Sequence, residues 1–107
     1  MVNLQQIKSS PKKEIAGLRV GIDKTDKKII ALLAERFKWT KKVGEYKAKN
    51  NLPAKDPTRE REVFENRKRW AKQSGVDEIL VAEIFKTIIA LVRQNHHAIK
   101  NIKTRNR

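Results

Sequence analysis

The chain has 107 residues, 26 of them basic and 12 acidic, for a formal net charge of +14. That length allows one small domain, and the lack of cysteine excludes disulfides and thiolate-bound metals. No apolar run approaches the ~20 residues of a membrane span, and the N-terminus carries no secretory hydrophobic segment.

The charge balance points to anionic partners. Half of the excess, however, lies at the ends: residues 1–13 hold Lys8, Lys12 and Lys13, and residues 98–107 hold Lys100, Lys103, Arg105 and Arg107, with no acid in either stretch. The only histidines, His96 and His97, are adjacent. On a helix they point about 100° apart and do not form the i, i+4 pair of a helical zinc site, so no metal is expected.

Residues 1–11 show no sustained periodicity and are expected to form a frayed tail. A long helix is predicted from Lys12 to Lys49, where Asn50-Asn51-Leu52-Pro53 stops it. Gly17, Gly21 and Gly44 lie inside it, each costing about 1 kcal/mol relative to alanine. Ile15, Leu18, Ile22, Ile29, Leu32 and Leu33 form one apolar stripe by threes and fours. A helix of this length is a rod of about 55 Å, too long for the remaining chain to cover, so a homodimer with its long helices packed together is expected.

Asp56-Pro57-Thr58-Arg59-Glu60 reads as a helix start, with Asp56 as N-cap and Pro57 at the first helical position. This second helix runs to about Gln73, with Val63, Phe64, Trp70 and Ala71 facing inward and Gly75 as its C-terminal cap. Asp77 caps a third helix, apolar on more than one face from Ile79 to Val92, that turns polar at Arg93-Gln94-Asn95-His96-His97 and ends in a basic tail. No strand is required. The domain is placed at residues 12–103, with 104–107 as the tail, and the fold class is all-α.

The long helix contains a conflict. Continued from Ile29 and Leu33, its apolar stripe meets Arg36, then Thr40, Val43 and Lys47. Cations on a buried stripe cost several kcal/mol unless a negative group meets them. Either Arg36 and Lys47 pair with carboxylates of a neighbouring helix or reach water, or they line a cavity for an anion. Eleven residues separate them, three turns and about 16 Å along the axis, a slot that two long side chains narrow to the size of a small anion.

Leu18-Arg19, Asp26, Leu32-Leu33-Ala34-Glu35-Arg36, Val43-Gly44, Lys47, Asp56, Arg59 and Glu60 stand at spacings that together resemble the all-helical class of chorismate mutases. The resemblance covers about Ile15 to Ile99. It implies a three-helix protomer entwined with a second copy into a six-helix homodimer, and the rearrangement of the dianion chorismate to prephenate without a cofactor. Arg36, together with Arg19 from the other protomer, would hold the two carboxylates. Lys47 would donate to the ether oxygen, Glu60 would take the ring hydroxyl, Asp56 would assist at the helix start, and Arg59 would support the carboxylate end.

Independently of the resemblance, Arg19 lies about 25 Å along the helix from Arg36 on a different face, so it cannot reach that site within its own helix. Two positions depart from the best-known bacterial member of the class. Val92 stands where a serine contacts a carboxylate, and His96 stands where a glutamine makes the second contact to the ether oxygen. As imidazolium or in the correct neutral tautomer, His96 could present a proton there.

Isochorismate pyruvate-lyase, an enzyme on the same scaffold, is the nearest alternative. A basic helical module binding nucleic acid is a more distant one, and it would place cations beside base-stacking aromatics. The expected setting is the cytoplasm, with neither nucleic acid nor membrane as partner.

Overall fold

A computed structural model describes residues 10–105, with side chains to residue 102. Residues 1–9, most of the tail assigned to residues 1–11, and the last two residues, 106–107, lie outside the described residues. Within them the protein is all-α: α1 spans Pro11–Lys49, α2 Pro57–Gln73 and α3 Glu78–Arg105, with no strand. None of these helices is long and apolar enough to cross a membrane.

Each helix end has a local chemical cause. Ser10 opens α1: its Oγ accepts from the Lys13 amide at 3.2 Å and its carbonyl from the Glu14 amide at 3.0 Å, while Pro11 occupies the first position, where a missing N–H costs nothing. The helix therefore starts one residue before Lys12, and Ser10-Pro11 is its cap rather than the end of a frayed tail. At the other end Asn51 takes a left-handed φ of 54°. That turn lets the Leu52 amide reach the Lys47 carbonyl at 2.8 Å, a closure usually given to glycine.

Asp56 caps α2 by accepting from the Arg59 amide at 3.1 Å, with Pro57 next. The helix ends in a Schellman turn: the Val76 amide bonds the Ala71 carbonyl at 2.9 Å and the Gly75 amide the Lys72 carbonyl at 3.2 Å. Gly75 has φ +72°, a conformation in which a Cβ meets the following carbonyl. Asp77 Oδ1 caps α3, accepting from the amides of Ile79 at 2.7 Å and Leu80 at 3.1 Å. α3 stays helical through Arg105.

The chain divides into two units, residues 1–36 and residues 37–107. In the first, every described residue from Ser10 to Leu32 is exposed, and the predicted apolar stripe is laid bare up to Leu32, with Leu33 half-buried: Leu18 is 70% and Ile22 56% accessible. In the second, α2 and α3 pack on each other over a small core in which Ala48, Val63 and Ala71 are buried and Phe64, Phe85, Ile88, Ile89 and Val92 are half-buried.

Trp70 does not face inward as expected. It is 48% exposed and lies under the Arg67 guanidinium, 4.9 Å from its ring centroid, while the same guanidinium stands 5.5 Å from the Phe85 ring. The cation thus joins α2 to α3 through two aromatic faces. The other apolar face of α3 is open, with Ile79, Leu80, Ile84 and Leu91 exposed.

Because Gly75 holds a left-handed φ, Gly75→Ala is expected to lower stability by about 1 kcal/mol, read as a lower urea midpoint at unchanged slope. An unchanged midpoint would contradict the assignment of this turn.

Candidate functional site

The last turns of α1 meet α3 at Gly44. A methyl group there would lie 2.5 Å from Cδ2 and 3.0 Å from Nε2 of His96, distances that no packed side chain tolerates. The absence of a Cβ therefore admits the imidazole against the α1 backbone. His96 is 6% exposed, so it is no solvated helix-end residue. Its Nε2 lies 2.8 Å from the Thr40 carbonyl oxygen, and since a carbonyl only accepts, Nε2 carries the proton and donates it. The donor expected at this position is committed to the backbone of α1, which leaves Nδ1 as the ring's other polar atom. His97 is exposed.

One turn beyond Gly44, Lys47 is half-buried and its Nζ donates to the Ala54 carbonyl at 3.3 Å, in the connection between α1 and α2. That bond ties the lysine to the connection that leads to Asp56. An ammonium on a four-carbon stem can leave a neutral carbonyl for an anionic oxygen, a stronger acceptor. The carboxylate of Asp56 is occupied as the α2 cap, which holds the first turn of α2 and with it Glu60.

Glu60 is paired with a cation from another helix. Its Oε1 accepts from Nη2 of Arg93, across from α2 to α3. Arg59, by contrast, pairs with Glu62 at 3.6 Å with both side chains more than half exposed, a geometry worth little in stability. Val92 is half-buried and offers no hydrogen bond. Arg19 and Arg36 belong to the first unit, where Arg19 is exposed and Arg36 half-buried.

The second unit thus carries Lys47, Asp56, Glu60, Val92 and His96 on the end of α1, the start of α2 and the middle of α3. Sequence reasoning passed over Arg93, which stood in the polar stretch before His96. The available signal was its position three residues before His96, which puts both on neighbouring parts of one helix face.

The chain belongs to the chorismate mutase type II family, whose pattern it matches over residues 18–97. It is 46% identical over 81 residues to a bifunctional chorismate mutase/prephenate dehydratase of Aquifex aeolicus, covering 72% of this chain and 22% of that protein. It is 36% identical over 76 residues to a chorismate mutase of Methanocaldococcus jannaschii, covering 71% of this chain and 77% of that protein. An isochorismate pyruvate lyase of Pseudomonas aeruginosa is 33% identical over 76 residues, covering 70% of this chain and 73% of that protein. The chain therefore spans less than a quarter of the bifunctional relative.

Gly44→Ala is expected to force the His96 ring off α1 and to cost about 1–3 kcal/mol. The double variant Gly44→Ala/His96→Ala should lose less than the sum of its parts. Denaturant unfolding checks both, and a Gly44→Ala protein as stable as the parent would contradict the contact.

Proposed function

We propose that the chain catalyses the rearrangement of chorismate to prephenate, a step toward phenylalanine and tyrosine, in the cytoplasm and as a homodimer, with neither nucleic acid nor membrane as partner. The observation that carries this reading is the family match over residues 18–97 in a chain that carries Lys47 at the end of α1 and Asp56 and Glu60 at the start of α2.

The reaction breaks a C–O bond and forms a C–C bond within one molecule, so no proton or electron need leave the substrate. The protein's work is to hold a flexible dianion in the compact conformer, removing an entropic part of the barrier, and to aim fixed donors at the oxygen where negative charge develops. Lys47 is assigned to that ether oxygen, Glu60 to the ring hydroxyl, and Arg36 with Arg19 of the second copy to the two carboxylates. Arg59 and Asp56 support the α2 end, and Val92 supplies an apolar wall. Because His96 Nε2 is engaged by Thr40, any donation by this residue to substrate requires the ring to give up that bond or to use Nδ1.

The exposed apolar residues support the homodimer. Ile15, Leu18, Ile22, Ile29 and Leu32 on α1, and Ile79, Leu80, Ile84 and Leu91 on α3, are open in a single chain, and each contributes about 1.5 kcal/mol or more when buried. In the second unit Trp39, Val43 and Tyr46 form a further exposed stripe at helical spacing, with Lys42 Nζ 5.0 Å from the Trp39 ring. A second copy of the chain accounts for all of these faces together. Isochorismate pyruvate lysis is the second reading, favoured by the relative in Pseudomonas aeruginosa.

Lys47→Ala is expected to lower turnover of chorismate by about 100- to 1000-fold with the oligomeric state unchanged. Spectrophotometric assay with chorismate and isochorismate side by side checks the reading. Parent-level turnover in the variant sinks the role of Lys47, and consumption of isochorismate alone moves the function to the lyase.

A further inference from the structure

We propose that Arg93 is a positioning residue for Glu60, fixing its carboxylate so that Oε2 is the oxygen presented to the substrate's ring hydroxyl. The inference rests on the mutase reading given above, and it deepens the account of that site.

A glutamate side chain turns about three bonds and is poorly placed to read one hydroxyl unless something restricts it. Glu60 sits in the first turn of α2, while Arg93 lies 33 residues away on α3, so their bond can form only once the two helices are packed. The bond runs from Nη2 to Oε1, and among the described residues Oε2 accepts no hydrogen bond. The pair is part-buried, with side-chain exposures of 36% for Arg93 and 24% for Glu60. The contact is therefore better shielded than the exposed Arg59–Glu62 pair.

The manner of pairing separates a positioning role from a purely structural tie. An arginine that only joins two helices satisfies itself best through the two-bond fork with both carboxylate oxygens. Here only one oxygen is taken, and Nε of Arg93 is a buried donor with no partner among the described residues. Leaving a buried donor unpaired costs stability, and what the arrangement gains is a fixed carboxylate with one free oxygen. Val92, beside Arg93, has no polar atom with which to share this task.

The experiment is a double-mutant cycle on chorismate turnover at a temperature where circular dichroism shows every variant folded. Arg93→Met, Arg93→Lys, Glu60→Gln and Arg93→Met/Glu60→Gln are compared with the parent. If Arg93 acts through Glu60, Arg93→Met lowers kcat/KM by about tenfold, and the double variant matches Glu60→Gln to within about twofold. Arg93→Lys, which keeps one charged donor, recovers activity to within about threefold of the parent. Should Arg93→Met fail to fold, Arg93→Gln takes its place in the cycle. Losses that multiply in the double variant, or an Arg93→Met protein with parent activity, overturn the assignment of Arg93 while leaving the mutase reading intact. A parent protein inactive on chorismate overturns the mutase reading and this inference with it.

Discussion

The second unit is built around a ring lying on a backbone. His96 of α3 can rest against α1 only because Gly44 has no Cβ, and the bond from Nε2 to the Thr40 carbonyl fixes the contact in register. In the interior of an exposed helix that glycine would be a loss of about 1 kcal/mol. Here the loss is offset by a buried, hydrogen-bonded imidazole. Lys47 follows one turn later, and its reach to Ala54 starts from the α1 end that this contact holds. Charged and hydrogen-bonding groups, rather than a large apolar core, thus set the geometry of the site.

The hydrophobic accounting supports the same view. The buried apolar residues of the second unit are small ones, Ala48, Val63 and Ala71, whereas its large side chains are half-buried or open. Arg67, stacked on Trp70 and Phe85, adds a cation–π tie between α2 and α3. The first unit leaves its apolar stripe in water from Ile15 to Leu32, with only Leu33 half-buried. In the proposed homodimer, folding and association would be one process, with a stability that depends on protein concentration.

The helix ends were legible in the sequence because their chemistry is local. Asp56-Pro57, Asp77 and Gly75 each act within a few residues, and each performs the capping role their pattern predicts. Ser10 was equally local but was hidden by the absence of periodicity around it. What the sequence could not display is rotation between helices. Trp70 falls on an apolar spacing, yet its ring lies outward under Arg67. Arg93 looked like one of several polar residues near the end of an apolar helix, and only the packing of α2 on α3 brings it to Glu60. Gly44 read as a weak point in a helix because its neighbour, His96, lies 52 residues further along the chain. The cations Arg36 and Lys47 stood out earlier, since each interrupts a stripe that is otherwise apolar.

In the proposed enzyme one chain supplies Lys47 and its second copy supplies Arg19 to the same site. Mixing two separately inactive proteins, Arg19→Ala and Lys47→Ala, after co-unfolding and refolding tests it directly. Random pairing makes half of the dimers mixed, and each mixed dimer contains one site with both residues intact. About a quarter of parent activity is therefore the predicted yield. A mixture no more active than its two components would contradict the account.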